Sequence, residues 1–190
     1  MISRCFGAYG ASAHSSNLGR PAFKAGVRGG ALMAALRLDI DPSFVPATPV
    51  RRAIEVYPHP AIVALFGRSE ILKYKSKRGR TVASRSGALG ELTEHLESLK
   101  SASPGLDVTT SPRWAVLRET VATPRSGAEL DRAEDELDAY LCTYIALYFW
   151  TRGSTTCRVV GDLATGYIVT PVNEPQARCL DAQQMQLGVA

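Results

Sequence analysis

The chain has 190 residues, of which 45% are hydrophobic and 21% charged, a balance that excludes a wholly disordered polymer. Its 22 Lys and Arg against 18 Asp and Glu give a net charge of +4, too small an excess to demonstrate a nucleic-acid partner by itself. No apolar run reaches the roughly 18 residues of a membrane span, and the opening residues carry no apolar leader, so a soluble, cytoplasmic protein is expected.

A chain of this length buries about 70% of the surface its unfolded form exposes, so its core needs neither a disulfide nor a metal to make up for small size. Cys5, Cys142, Cys157 and Cys179 have no C-x-x-C spacing, which argues against a zinc site. Cys142 sits in a hydrophobic run and reads as a small core residue.

In chain order, the Gly-, Ser- and Ala-rich opening as far as Pro21 reads as a loop. Ala31 to Leu38 has helical composition, with Gly29 and Gly30 weakening what precedes it. A Pro-rich connection from Asp41 leads to RRAIEVYPHP, the clearest short strand, which Pro58 ends. Ile54 and Val56 fall on one face of it, and Ala53, Glu55 and Tyr57 on the other. Pro60 opens a short helical turn, AIVALFG, and LKYKSKRGR is a basic loop. Leu89, Leu92, Leu96 and Leu99 recur at helical spacing and predict an amphipathic helix from Arg85 to Lys100. Pro112 starts a weaker helix. The strongest one runs from Ala128 to Arg152 and stops at Gly153. TCRVV and GYIVTP, joined by GDLAT, read as a hairpin. These elements make a single domain over residues 1–172, followed by a tail at 173–190.

The Ala128–Arg152 helix carries the most informative pattern. Leu130, Ala133, Leu137, Leu141, Tyr144 and Tyr148 form one apolar face. Asp131, Asp135 and Asp138 form a second stripe that continues into Cys142, Ile145 and Phe149. Carboxylates heading a buried stripe need a cation, and a divalent metal would serve. The plainer reading is that acids in the first turns favour the positive end of the helix dipole. Glu55, an acid inside an apolar strand, could face that stripe, or could sit at a sheet edge beside Arg51 or Arg52. Lys73, Lys75, Lys77, Arg78 and Arg80 put five cations in eight positions with Tyr74 among them. Such a loop can neutralise phosphates while the aromatic stacks on a base, or it can be a solvated surface loop. His14 and His59 are auxiliary candidates, whereas His95 reads as inert on an exposed helix side.

The blocks IEVYPHPAIVALFG, LKYKSKRGR, EDELDAYLCTYIALYFWTRG and VVGDLATGYIVTP, in that order, resemble successive motifs of the domain-of-unknown-function family 429. FGAYGASAHSSN resembles its loop ahead of the first long helix. The resemblance covers about residues 1 to 172 and implies an α/β ribonuclease H-like fold, a mixed sheet flanked by helices. It implies a metal-dependent nuclease, with carboxylates holding two Mg²⁺ or Mn²⁺ ions for phosphodiester hydrolysis. By resemblance Glu55 is the strand acid, Asp135 and Asp138 are the late-helix acids, and the Lys73–Arg80 loop tracks the phosphate backbone of DNA or RNA. The family's first strands, with an essential Asp, have no counterpart ahead of the opening loop. The fold is therefore expected to be incomplete at its N-terminus, and the enzyme could be inactive. The alternative is a non-catalytic nucleic-acid-binding or interaction remnant of the same fold.

Overall fold

The computed structural model describes residues 1–12, 28–49 and 51–186. The elements in chain order are α1 (Ile2–Phe6), α2 (Arg28–Leu36), α3 (Pro58–Leu65), α4 (Val82–Ser98), α5 (Pro112–Ala122), α6 (Gly127–Arg152), β1 (Cys157–Asp162), β2 (Gly166–Pro171) and α7 (Glu174–Gln186). Helices and a small sheet together make the α/β character.

Local sequence accounts for most boundaries. Thr81 caps α4 by accepting from the Ser84 amide at 3.1 Å, and Ser84 Oγ accepts from the Thr81 amide at 3.0 Å. Ser126 caps α6 through the Glu129 amide at 3.2 Å. Gly153 ends α6 at φ +57°, a conformation that glycine adopts without strain. Pro58 and Pro112 take first-turn positions, where their missing N–H is no loss.

The main core lies where α4, α5 and α6 meet. Leu89, Leu92 and Leu96 of α4 pack with Trp114 and Leu117 of α5 and with Leu130, Leu137, Leu141 and Tyr144 of α6; Ala61 and Ile62 of α3 close it. The predicted leucine spacing on α4 and α6 is thus the packing face.

The hairpin forms as expected, with Val159 opposite Val169 and Val160 opposite Ile168. One sheet face carries Cys157, Tyr167 and Val169 against Phe149 of α6. Val160, on the other face, packs with Leu180 of α7 and with Ile2 and Phe6 of α1. Helices therefore cover both faces.

Four expectations change. RRAIEVYPHP is not a strand: residues 51–57 make only single parallel bridges, Asp39 to Arg52 and Val56 to Val169, and 58–60 already open α3. The Val169 amide donates to the Glu55 carbonyl at 2.8 Å, and the proline at 58 ends the pairing there. The sheet among the described residues thus has two strands, and the wider mixed sheet is not formed by them. The opening is not all loop, because Ile2, Cys5 and Phe6 turn one helical face into a buried cluster that composition could not reveal. Gly29 and Gly30 lie inside α2 rather than before it. Residues 174–186, read as part of a tail, are a helix with Leu180 fully buried, and Cys179 forms a disulfide with Cys5. No helix among the described residues is long and apolar enough to cross a membrane.

Candidate nucleic-acid interface

The basic loop is anchored at its root and free at its tip. Ile71, Leu72 and Tyr74 are buried, so this part is core rather than surface. Tyr74 is 0% exposed and its hydroxyl donates to Asp138 at 2.8 Å, which corrects the expectation that its ring could stack on a base. Burial, followed by the Asp138 charge, pushes the Tyr74 phenol far above its ordinary pKa.

Lys75 reaches two carboxylates of α6, Glu134 at 2.8 Å and Asp138. Burial opposes its charge, but hydrogen bonds to Asp138 and Glu134 outweigh burial and hold its pKa above the usual lysine value. Arg85 of α4 closes the other side. It donates from Nε to the Tyr74 carbonyl at 3.0 Å and from Nη2 to Asp131 at 2.6 Å and to Glu134 at 3.1 Å. Lys75 and Arg85 thus pin the loop to the acid stripe of α6.

The acids that Lys75 and Arg85 engage are Asp131, Glu134 and Asp138, rather than Asp131, Asp135 and Asp138. Each residue advances a helix by about 100°, so Glu134 lies roughly 60° from Asp131 on the leucine side while Asp135 lies roughly 40° away on the other. Glu134 is accordingly buried and Asp135 exposed. The three-residue step from Asp131 to Glu134 is the signal that could have identified Glu134 from sequence.

Past Lys75 the chain turns outward. The Arg80 amide donates to the Lys77 carbonyl at 3.1 Å, with Gly79 at φ +84°. A type II turn requires such a φ at this position. Arg80 Nη1 donates to the Lys75 carbonyl at 2.9 Å, while Lys73 pairs with Glu70 at 2.8 Å. Lys77 and Arg78 are exposed, and neither side chain makes an ion pair or hydrogen bond among the described residues. They are the uncommitted cations of the loop.

His59 stands behind Tyr74. It is 6% exposed, its ring lies edge-on to Tyr74 at 5.3 Å, and Nδ1 has no partner among the described residues. Burial pulls its pKa down to about 4, although the Asp138 charge opposes this. Cys142, one turn beyond Asp138, is half-buried rather than a core residue. Burial and the Asp138 charge push its thiol up to about 11. His95 is likewise not bare: its ring stacks on Phe66 at 4.4 Å and meets Arg68 at 3.1 Å. His14 lies outside the described residues.

The candidate metal ligands do not fit a metal pair. Glu55 and Asp135 are exposed, and the half-buried Asp138 is occupied by Lys75 and the Tyr74 hydroxyl. Among the described residues no three His, Cys, Asp or Glu side chains come together where they could hold an ion. A cation that the carboxylates need is already supplied by the protein itself. The structure therefore brings together Lys75 and Asp138, with His59 behind them, and leaves Glu55 and Asp135 at the surface.

A family model described as protein of unknown function (DUF429) matches residues 3–162. The chain belongs to the DUF429 family. The match runs from α1 to the end of β1 and so takes in the DUF429 chain's basic loop, the acid stripe of α6 and Glu55. No curated protein and no solved structure matches it.

Proposed function

We propose that this DUF429 chain is a non-catalytic nucleic-acid-binding protein, a relative of metal-dependent nucleases with a ribonuclease H-like fold, acting in the cytoplasm. The observation that carries the reading is the division of labour in the basic loop. Lys75 is committed to Glu134 and Asp138, while Lys77 and Arg78 project from a turn whose base is fastened to α6. Exposed, unpaired cations on an ordered turn can contact phosphates without first breaking an internal ion pair. A parallel bridge beside an antiparallel pair, with helices on both faces, is in line with a mixed-sheet ancestry. The binding reading ranks above hydrolysis because Asp131, Glu134 and Asp138 of α6 are engaged in ion pairs with Lys75 and Arg85.

Fluorescence anisotropy with a labelled single-stranded oligonucleotide tests this. Replacing Lys77 and Arg78 together by Ala should weaken binding and lower the slope of log K against log salt by about 1.4, roughly 0.7 per lost phosphate contact. An unchanged affinity and slope would refute the assignment. Mn²⁺-dependent cleavage that is lost in Asp138→Asn would overturn it in favour of a hydrolase.

A further inference from the structure

The four cysteines are of two kinds. Cys5 of α1 and Cys179 of α7 are joined as a disulfide across 174 positions of sequence, whereas Cys142 and Cys157 are free. Burial pushes the Cys157 thiol up to about 12, and burial with the Asp138 charge pushes the Cys142 thiol up to about 11. Neither supplies appreciable thiolate at neutral pH, so exchange chemistry falls to the bonded pair. Cys179 is half-buried rather than sealed in, which leaves an approach for a small thiol.

The bond holds more than two chain ends. Helix α7 is fastened to β1 independently of it: Arg158 reaches both Asp181 oxygens at 2.6 and 2.9 Å, and Gln184 donates to the Val159 carbonyl at 2.9 Å. Helix α1 has only five residues, far too few to be stable alone, and its Arg4 side chain also leans on α7 through Gln183. Beyond α1 the chain turns at Gly7–Tyr9, and the Tyr9 carbonyl accepts the Ile71 amide at 2.8 Å. Ile71, with Leu72 and Tyr74, is the buried root of the basic loop. A continuous path therefore runs from β1 through α7, the disulfide, α1 and Tyr9 to the loop.

We propose that Cys5–Cys179 is a reversible thiol–disulfide exchange site, through which a small thiol or disulfide of the glutathione type sets the order of the basic loop's root. In oxidation the two cysteine thiols give up two protons and two electrons. The small disulfide takes them up and leaves as two thiols. Reduction is the same exchange in reverse through a mixed disulfide. With the bond open, α1 keeps its side-chain packing and the Arg4–Gln183 hydrogen bond but loses its covalent tie to α7, and the Tyr9–Ile71 contact frays with it. The effect on loop order stands on the geometry, and any effect on nucleic-acid binding rests on the function proposed above.

Hydrogen exchange read by mass spectrometry on the full chain, in oxidising and reducing glutathione buffers, tests this. The oxidised sample should give a linked Cys5–Cys179 peptide. Reduction should lower Tm by roughly 10 °C, since the bond closes a very long loop. Peptides containing the Ile71 amide should then exchange at least about tenfold faster, reporting local opening. The Cys5→Ser/Cys179→Ser chain should lose the response, and Cys142→Ser/Cys157→Ala should keep it. Failure to form the linked peptide would overturn the proposal, as would a linked peptide with unchanged exchange at Ile71. Oligonucleotide binding measured in the same two buffers separates the two ideas. An intact exchange response with no binding in either buffer would support the clamp and sink only the nucleic-acid reading.

Discussion

Replacing Arg85 by Met tests the link between loop and acid stripe most sharply. Met fills much of the same space but removes all three hydrogen bonds, to the Tyr74 carbonyl, Asp131 and Glu134. The contacts are not of equal weight. Asp131 makes the shorter one at 2.6 Å, but its side chain is 55% exposed, so water replaces the lost partner at a cost of about 0–1 kcal/mol. Glu134 is farther at 3.1 Å yet buried, and a buried carboxylate deprived of a partner costs about 3–5 kcal/mol. Lys75 stays on Glu134 and keeps the loss at the lower end, about 3 kcal/mol. For a chain of this size each kcal/mol moves Tm by about 2–4 °C, so a fall of about 6–12 °C is expected in a thermal melt. The double variant Arg85→Met/Glu134→Gln removes the buried carboxylate that has lost one of its two cations and should recover at least about 1 kcal/mol of the loss. A single variant within about 2 °C of wild type, or a double variant no better than the single, would refute the reasoning.

Two further outcomes follow from burial. Leu137→Ala, in the centre of the α6 core face, should cost about 2–5 kcal/mol, whereas Asp135→Ala, two residues away but exposed, should stay within about 0.5 kcal/mol in urea titrations. His59 should make stability fall with acid. Its folded pKa is about 4 against an ordinary 6.5, so between these values the unfolded chain binds the extra proton. Its contribution is whole above pH 6.5 and is lost as pH drops towards 4, by about 3 kcal/mol at most. In urea titrations at pH 7 and pH 4.5, His59→Gln should therefore lose less stability between the two than wild type; an equal loss would contradict a neutral, buried His59.

Periodicity made much of the fold legible. The leucine spacing of α4 and α6 and the two runs of the hairpin each identify an element whose own residues dictate it. What remained hidden depends on distant partners. Ile2 and Phe6 form a helix because Leu180, far along the chain, covers them, and no local pattern announces that. RRAIEVYPHP alternates like a strand, but residues 51–57 have only one bridge to β2 and one to Asp39 and never become a ladder, and 58–60 turn into α3. At the candidate site the cationic loop and the acid-bearing helix were both visible, and so was Asp138. Their mutual ion pairing was not, because it needs Lys75 and Arg85 to arrive from opposite sides of one stripe. Tyr74 looked like a surface aromatic since its neighbours are cations, yet the fold uses it as core with a polar tip.

The central claim is that the loop binds nucleic acid without chemistry. It is tested most directly by titrating wild-type protein onto an end-labelled oligonucleotide in EDTA and again in Mn²⁺, and running the recovered strand on a denaturing gel. The account predicts the same salt-sensitive Kd in both and an intact strand. Binding that appears only with Mn²⁺, or a shortened strand, would contradict it.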